Sequence, residues 1–177
     1  MEEKILMTEE EIDRALTRIA HQILERNRGS TDLALVGIRT GGVPLAERLK
    51  RKIAAIEGVD LPVGILDISL YRDDWSLASP QPQVRSTDIP FPVDNKVIIL
   101  VDDVIFTGRT VRAALDALMD FGRPKKVELA VLVDRGHREL PIEPTYCGLT
   151  VTTLPDEHVT VRLKEISGED KVVLERG

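Results

Sequence analysis

Nothing in this chain limits its fold more than residues 97–110, VIILVDDVIFTGRT. The run 97–101 is uninterrupted and aliphatic, β-branched at most positions, which suits a strand covered on both faces in a parallel sheet. Asp102 and Asp103 follow at its expected carboxyl end, the edge at which open α/β sheets bind ligands. Thr107, Gly108, Arg109 and Thr110 then lead into a helical pattern. Val111, Ala114, Leu115, Leu118 and Phe121 fall on one face of that helix, and Gly122 and Pro124 close it.

Strand, paired acids, hydroxyl-rich turn and helix N-terminus together describe an anion cradle flanked by carboxylates. Freed amides over residues 107–110, the threonine hydroxyls and the positive end of the helix dipole suit one phosphate monoester. The acids would repel that phosphate. They are better matched to the vicinal hydroxyls of a ribose, or to Mg²⁺ held through its waters. A 5-phosphoribosyl group carries these parts. The plainer alternative is an ordinary βα turn with two solvated acids.

The remainder of the chain supports an α/β fold. Thr8 and Glu11 form a capping box, and Ile12, Leu16, Ile19 and Ile23 make the buried stripe of a helix reaching about Asn27. Arg14, Arg18, His21, Glu25 and Arg28 share another face of it. Residues 33–38, LALVGI, read as a second buried strand, followed by Arg39, Thr40, Gly41 and Gly42 and a helix with Pro44 in its first turn. Two glycines at a strand-to-helix turn let the backbone approach a ligand closely. Residues 61–71 predict a third strand and 127–133 another, while short strands are expected at 159–163 and 172–174. Between them, RDDWSLASPQPQVRSTDIPFPVDN (72–95) has four prolines and little periodicity. So long a loop in a compact domain is usually functional or disordered.

Composition narrows the class. A length of 177 residues with 42% hydrophobic content fits one domain, 1–177, with a full core. No apolar run reaches the roughly 20 residues of a membrane span, and MEEK is no signal peptide, so a cytoplasmic protein is expected. The single cysteine, Cys147, allows neither an internal disulfide nor a multi-cysteine metal site, and is expected to be a small buried hydrophobe. A net charge of −6 argues against broad nucleic-acid affinity, so RNA binding would need a local basic patch.

The run VIILVDDVIFTGRT resembles the phosphoribosyl pyrophosphate (PRPP) motif of type I phosphoribosyltransferases. With DRGHRELPI at 134–142, the chain resembles the PyrR family of pyrimidine-operon attenuators and uracil phosphoribosyltransferases, from about residue 7 to 174. The resemblance implies a mostly parallel sheet of about five strands flanked by helices, with a small hood built from the tail. It implies that uracil and PRPP give UMP and pyrophosphate through an oxocarbenium-like transition state, with Mg²⁺ bound mainly by PRPP, no metal site made of protein ligands alone, and no covalent nucleophile.

Residue by residue, the resemblance places Asp102 and Asp103 on the ribose hydroxyls. Val104, Ile105, Phe106, Thr107, Gly108, Arg109 and Thr110 form the PRPP loop, with the 5-phosphate at 107–110. Arg39, Thr40 and Gly41 fall at the pyrophosphate. Tyr71, Arg72 and Arg85 lie on an arm that closes over PRPP, with Arg72 counted among the catalytic groups. Arg135 falls beside the base or phosphates, and Val159 at a nucleotide-contacting position. Thr17, Arg18, His21, His137 and Arg138 match positions that face pyrimidine-operon leader mRNA. Homo-oligomers, dimeric or larger, are implied as well. Three departures stand out: Gly41 where relatives usually have arginine, Glu143 where they commonly carry a basic residue, and Leu149 in place of a lysine. Other readings are an RNA-binding regulator without turnover, a purine-salvage transferase, and a receiver domain. The last conflicts with the strand and glycine turn that precede the acid pair.

Overall fold

The computed structural model describes residues 2–69 and 87–177. It contains β1 (Glu2–Met7), α1 (Glu9–Arg26), β2 (Leu33–Ile38), α2 (Gly42–Glu57), β3 (Val63–Leu66), β4 (Val97–Ile105), α3 (Arg109–Met119), β5 (Lys126–Asp134), β6 (Tyr146–Thr150), β7 (Glu157–Arg162), α4 (Lys164–Ser167) and β8 (Lys171–Arg176).

Five strands form an all-parallel sheet in the order β3-β2-β4-β5-β6. Every residue of β2 and the first six of β4 are buried, as aliphatic runs covered on both faces require. One face carries α1 and α2, where Ile12, Leu16, Ile19, Leu45 and Leu49 pack on Leu35, Ile99 and Val101. On the other face, Val111, Ala114 and Leu118 of α3 meet Val36, Ile98, Leu100 and Val131. The fold class is therefore α/β with helices on both faces, as the sequence implies.

The capping box is present at α1, with Thr8 Oγ1 accepting from the Glu11 amide and Glu11 Oε1 from the Thr8 amide. Other boundaries differ from the sequence reading. The third strand stops at Leu66, because Asp67 Oδ1 accepts from the Ser69 amide and hydroxyl and bends the chain. Residues 87–95 are anchored rather than part of a free arm. Asp88 bridges Ile65 through a reciprocal pair of 2.8 Å bonds, and Val93 is fully buried. Helix α3 ends at Met119, so Phe121 lies beyond it and is exposed. Cys147 is half-buried on β6, with its Sγ directed at the Leu149 carbonyl.

The hood is a second, antiparallel sheet in the order β1-β8-β7. The tail supplies β7 and β8, as expected, while β1 completes the sheet from the other end of the sequence. Arg48 of α2 ties the hood down through forked hydrogen bonds to Glu165 and Asp170.

Candidate active site

Strand order creates the site. The chain leaves β2 for β3 on one side and leaves β4 for β5 on the other, so the turns after β2 and β4 diverge and open a crevice at the carboxyl edge. Strand β4 is longer than its sequence suggests. Its pairing with β2 ends at Val101, but its pairing with β5 runs on to Ile105. Asp102 and Asp103 thus sit inside a strand where one neighbour has stopped, not at the strand's end.

The turn after β2 lies directly against these acids. A methyl group built on Gly41 would sit 2.2 Å from Asp103 Oδ2, and one on Gly42 would sit 2.1 Å from the Val101 carbonyl oxygen. Gly41 has ordinary helical dihedrals, so here glycine supplies space rather than freedom of φ. The Arg39–Thr40 peptide bond is cis, and both side chains are exposed. Beyond this turn a cleft of about 410 Å³ runs between α2 and α4, lined by Arg39, Thr40, Arg51 and Ile166 among others.

Asp102 is buried and its Oδ1 accepts from the Asp103 amide; Asp103 is half-buried and accepts from the Val104 amide. Among the described residues neither acid forms an ion pair. Burial pushes the Asp102 carboxyl well above its ordinary range, and the adjacent Asp103 charge adds to the effect.

Residues 104–111 line a cleft of about 270 Å³. Gly108 has φ 94°, a left-handed turn that suits glycine, and starts α3. Thr107 Oγ1 accepts from the Arg109 amide, and Arg109 Nε donates to Glu139. Among the described residues the amides of Thr107 and Gly108 have no acceptor. Two vacant N–H groups at a helix start are donors of the kind that suit an anion.

The end of β5 closes the crevice. Arg135 is buried, its guanidinium 4.0 Å above the Phe106 ring, and Nη2 donates to the Glu157 carbonyl at the start of β7. Its Nε is buried without an acceptor, the one such side-chain atom among the described residues. Burial lowers the Arg135 pKa, opposed by Glu157. His137 stands edge-on to Phe106, with Nε2 2.7 Å from the Thr153 carbonyl oxygen. Val159 is half-buried on β7 against the α1–α2 core.

The positions matched to RNA do not share one surface environment. Arg18 donates to the carbonyls of Cys147 and Gly148, bridging α1 to the edge strand β6, while His21 is exposed on the same helix. Thr17 Oγ1 is bonded to the Asp13 carbonyl. Arg138 is held by Asp134, Phe106 and Ile142 at the carboxyl edge. Of the departures, Glu143 is exposed and Leu149 packs on the core. Tyr71, Arg72 and Arg85 lie outside the described residues. Sequence reasoning passed over Gly37, where a methyl group would meet the Gly42 carbonyl oxygen at 2.6 Å. A glycine in an otherwise aliphatic strand was the signal for that close approach.

A magnesium ion fits this crevice in one respect. Asp102 and Asp103 offer carboxylate oxygen, the hard donor it prefers, with no cation competing among the described residues.

Comparison with known proteins agrees with this geometry. Residues 4–166 match the phosphoribosyl transferase domain family. The chain is similar to the bifunctional protein PyrR of Pelotomaculum thermopropionicum, at 62% identity over 96% of this chain and 93% of that one. It is also similar to that of Chloroflexus aurantiacus, at 58% over 99% and 96%. Solved structures share the fold. The hypoxanthine phosphoribosyltransferase of Trypanosoma cruzi superposes with TM-score 0.73 and 22% identity, covering 98% of this chain and 96% of that one. A hypoxanthine-guanine phosphoribosyltransferase from Bacillus anthracis gives 0.72 and 20%, with both chains fully covered. With a PRPP-type motif on its central strand, a switch-point crevice and near-full-length similarity of this strength, the chain belongs to the PyrR family of type I phosphoribosyltransferases.

Proposed function

We propose that this chain transfers the 5-phosphoribosyl group of PRPP to uracil, forming UMP and pyrophosphate, and that UMP then governs its binding to pyrimidine-operon leader RNA. The observation that carries the reading is the meeting of the two turns, with Gly41 packed on Asp103 and the open Thr107 and Gly108 amides in the turn that follows the same strand. The amides, the Thr107 and Thr110 hydroxyls and the α3 dipole hold the 5-phosphate. Asp102 and Asp103 orient the ribose hydroxyls and favour the positive charge that develops as the glycosidic bond breaks. Arg39, Thr40 and Gly41 receive the pyrophosphate, together with Arg72 and Arg85. The open Nε of Arg135 is the donor for the nucleotide end, under the hood strand bearing Val159. Magnesium, brought mainly on PRPP, neutralises the leaving pyrophosphate. Positioning and charge suffice, and no covalent nucleophile is required.

The protein works as a single phosphoribosyltransferase domain, assembles as a dimer or larger homo-oligomer, and acts in the cytoplasm. No helix among the described residues is long and apolar enough to cross a membrane. Leader RNA is bound through Thr17, Arg18, His21, His137 and Arg138, but weakly, since Glu143 puts an exposed negative charge where relatives commonly carry a basic residue.

The test is turnover and thermal shift with uracil, hypoxanthine and guanine in the presence of PRPP and Mg²⁺. A ligand bound only by the folded state at 100 times its dissociation constant adds about 2.7 kcal/mol of stability. Uracil should be the base consumed and UMP the nucleotide that shifts melting most. Preference for a purine in both assays would reject the assignment.

A further inference from the structure

Two arginines from outside the hood grip it at opposite ends. At the start of β7, Arg135 from the end of β5 donates from Nη2 to the Glu157 carbonyl at 2.7 Å. At the far end, Arg48 of α2 holds the connection between β7 and β8. Its Nε and Nη2 donate to the two carboxylate oxygens of Glu165, and its Nη1 and Nη2 to those of Asp170 at 2.8 Å each. Asp170 Oδ1 also accepts from the Lys164 amide at 2.8 Å, so one guanidinium ties together both limbs of that connection. Val159 lies between the two grips, on β7.

Attachment alone does not call for Arg48. Leu163 and Val172 of the hood are buried in the core that α1 and α2 share, and apolar burial holds the hood on without fixing where it sits. The Arg48 contact is of another kind. A guanidinium forked onto carboxylates is directional, and this one is withdrawn from water, with side-chain exposures of 14% for Arg48 and 7% for Asp170. A buried ion pair adds little net stability over apolar packing of the same volume; what it can add is a preference for one arrangement.

The helix that carries Arg48 gives that arrangement its meaning. α2 begins at the turn that packs on Asp103, and its first residue cannot shift, because Gly42 leaves no room for a methyl group beside the Val101 carbonyl oxygen. Arg48 stands about two turns further along the same helix. Glu165 and Ile166 form the far wall of the cleft whose near wall is Arg39 and Thr40. We propose that Arg48 is a positioning residue, which sets the hood at a fixed height over the pyrophosphate turn so that the base finds its site already formed. This rests on reading the crevice as the PRPP site and β7 as the roof over the base. The two ligands then separate. PRPP meets the turns after β2 and β4, which belong to the parallel sheet, whereas the base of UMP also needs the hood.

The experiment compares the full chain with Arg48→Met, Arg48→Lys, Asp170→Asn and Arg162→Met. It measures melting temperature, UMP and PRPP affinities by calorimetric titration, the KM and kcat for uracil, and amide hydrogen exchange over β7. Arg48→Met should weaken UMP roughly 10-fold and raise the KM for uracil to match, with PRPP affinity unchanged and the β7 amides exchanging faster. Lysine, a single-point donor, should rescue only part of the loss. Asp170→Asn should move UMP affinity the same way. Arg162 bonds Glu3 across the hood sheet itself, so Arg162→Met should leave UMP affinity at the parent's level. Unchanged UMP affinity in folded Arg48→Met overturns the proposal. So does an equal loss of PRPP affinity, the mark of general loosening, or an equal loss of UMP affinity in Arg162→Met. Should Arg48→Met fail to fold, Arg48→Lys and Asp170→Asn carry the same comparison. A parent that binds PRPP and UMP without consuming uracil rejects the reaction assigned above and leaves this test standing, whereas a parent that binds neither rejects both.

Discussion

Asp102 and Glu128 are buried carboxylates on adjacent strands, and their surroundings sort them into opposite kinds. Asp102 lies toward the carboxyl edge of the sheet, with the Asp103 amide as its one donor among the described residues and a second acid beside it. Glu128, near the start of β5, receives Asn27 Nδ2 at 2.9 Å, Tyr146 Oη at 2.7 Å, Arg26 Nε at 3.1 Å and Lys126 Nζ at 3.3 Å. Desolvation acts on both. It lifts Asp102, whereas at Glu128 the hydrogen bonds from Asn27, Tyr146 and Lys126 outweigh it and the pKa falls. One end of the sheet leaves its acids without a cation among the described residues; the other pairs its acid to hold α1, β5 and β6 together.

The comparison is most exposed at the acids themselves. Asp103→Asn keeps shape and loses charge, and turnover should drop on the order of 10²-fold at an unchanged melting temperature. Unchanged kinetics would take the pair out of the site. At the opposite end, Glu128→Leu leaves the Tyr146 hydroxyl buried without its acceptor. It should cost about 2 kcal/mol in denaturant unfolding, while activity per folded molecule stays at the parent's level. A loss of specific activity there would erase the contrast.

A smaller effect is expected at the turn packed on Asp103. Gly41→Ala forces a methyl group into the space of Oδ2. We expect about 1 kcal/mol of strain, seen as PRPP binding weakened several-fold with stability little changed. The arginine that relatives usually carry meets the same obstacle, so restoring it alone should not tighten PRPP.

The smallest effect is in pH dependence. For Asp102 the folded state keeps a proton that the unfolded chain has released, so between the ordinary 3.8 and the raised folded value stability falls as pH rises. For Glu128 the sign reverses. Its contribution is complete above the ordinary 4.5 and is lost as pH falls through the lowered folded value. Denaturant unfolding across about pH 3 to 8 should therefore lose the decline above the ordinary 3.8 in Asp102→Asn and part of its acid-side decline in Glu128→Gln. Slopes of one sign at both residues would contradict the contrast.

Much of this was legible in the chain. Residues 33–38 form the strand their aliphatic run predicts, the α1 cap needs only Thr8 and Glu11, and the central motif sits on the strand next to the switch point. What was missed depends on distant partners. The run EEKILM drew no strand expectation and becomes β1 only by pairing with β8. β6 contains Gly148, a poor strand former, where a methyl group would meet the Leu132 carbonyl oxygen at 2.6 Å. Strand β4 overran its aliphatic stretch because β5 continues to pair beside it. Arg138 looks like a free cation in sequence, and only the fold shows its charge returned to Asp134.

The hood sheet carries a consequence for the order of assembly. Glu2 pairs with Arg176 and Met7 with Val172, and among the described residues β1 has no other neighbour in its sheet. During synthesis, residues 2–7 emerge long before their partner strand and wait for it almost to residue 176. The parallel sheet needs nothing beyond Thr150. The two turns of the crevice can thus be framed while the nascent chain still lacks its roof, and closing the longest loop in the molecule comes last, against the largest entropy cost.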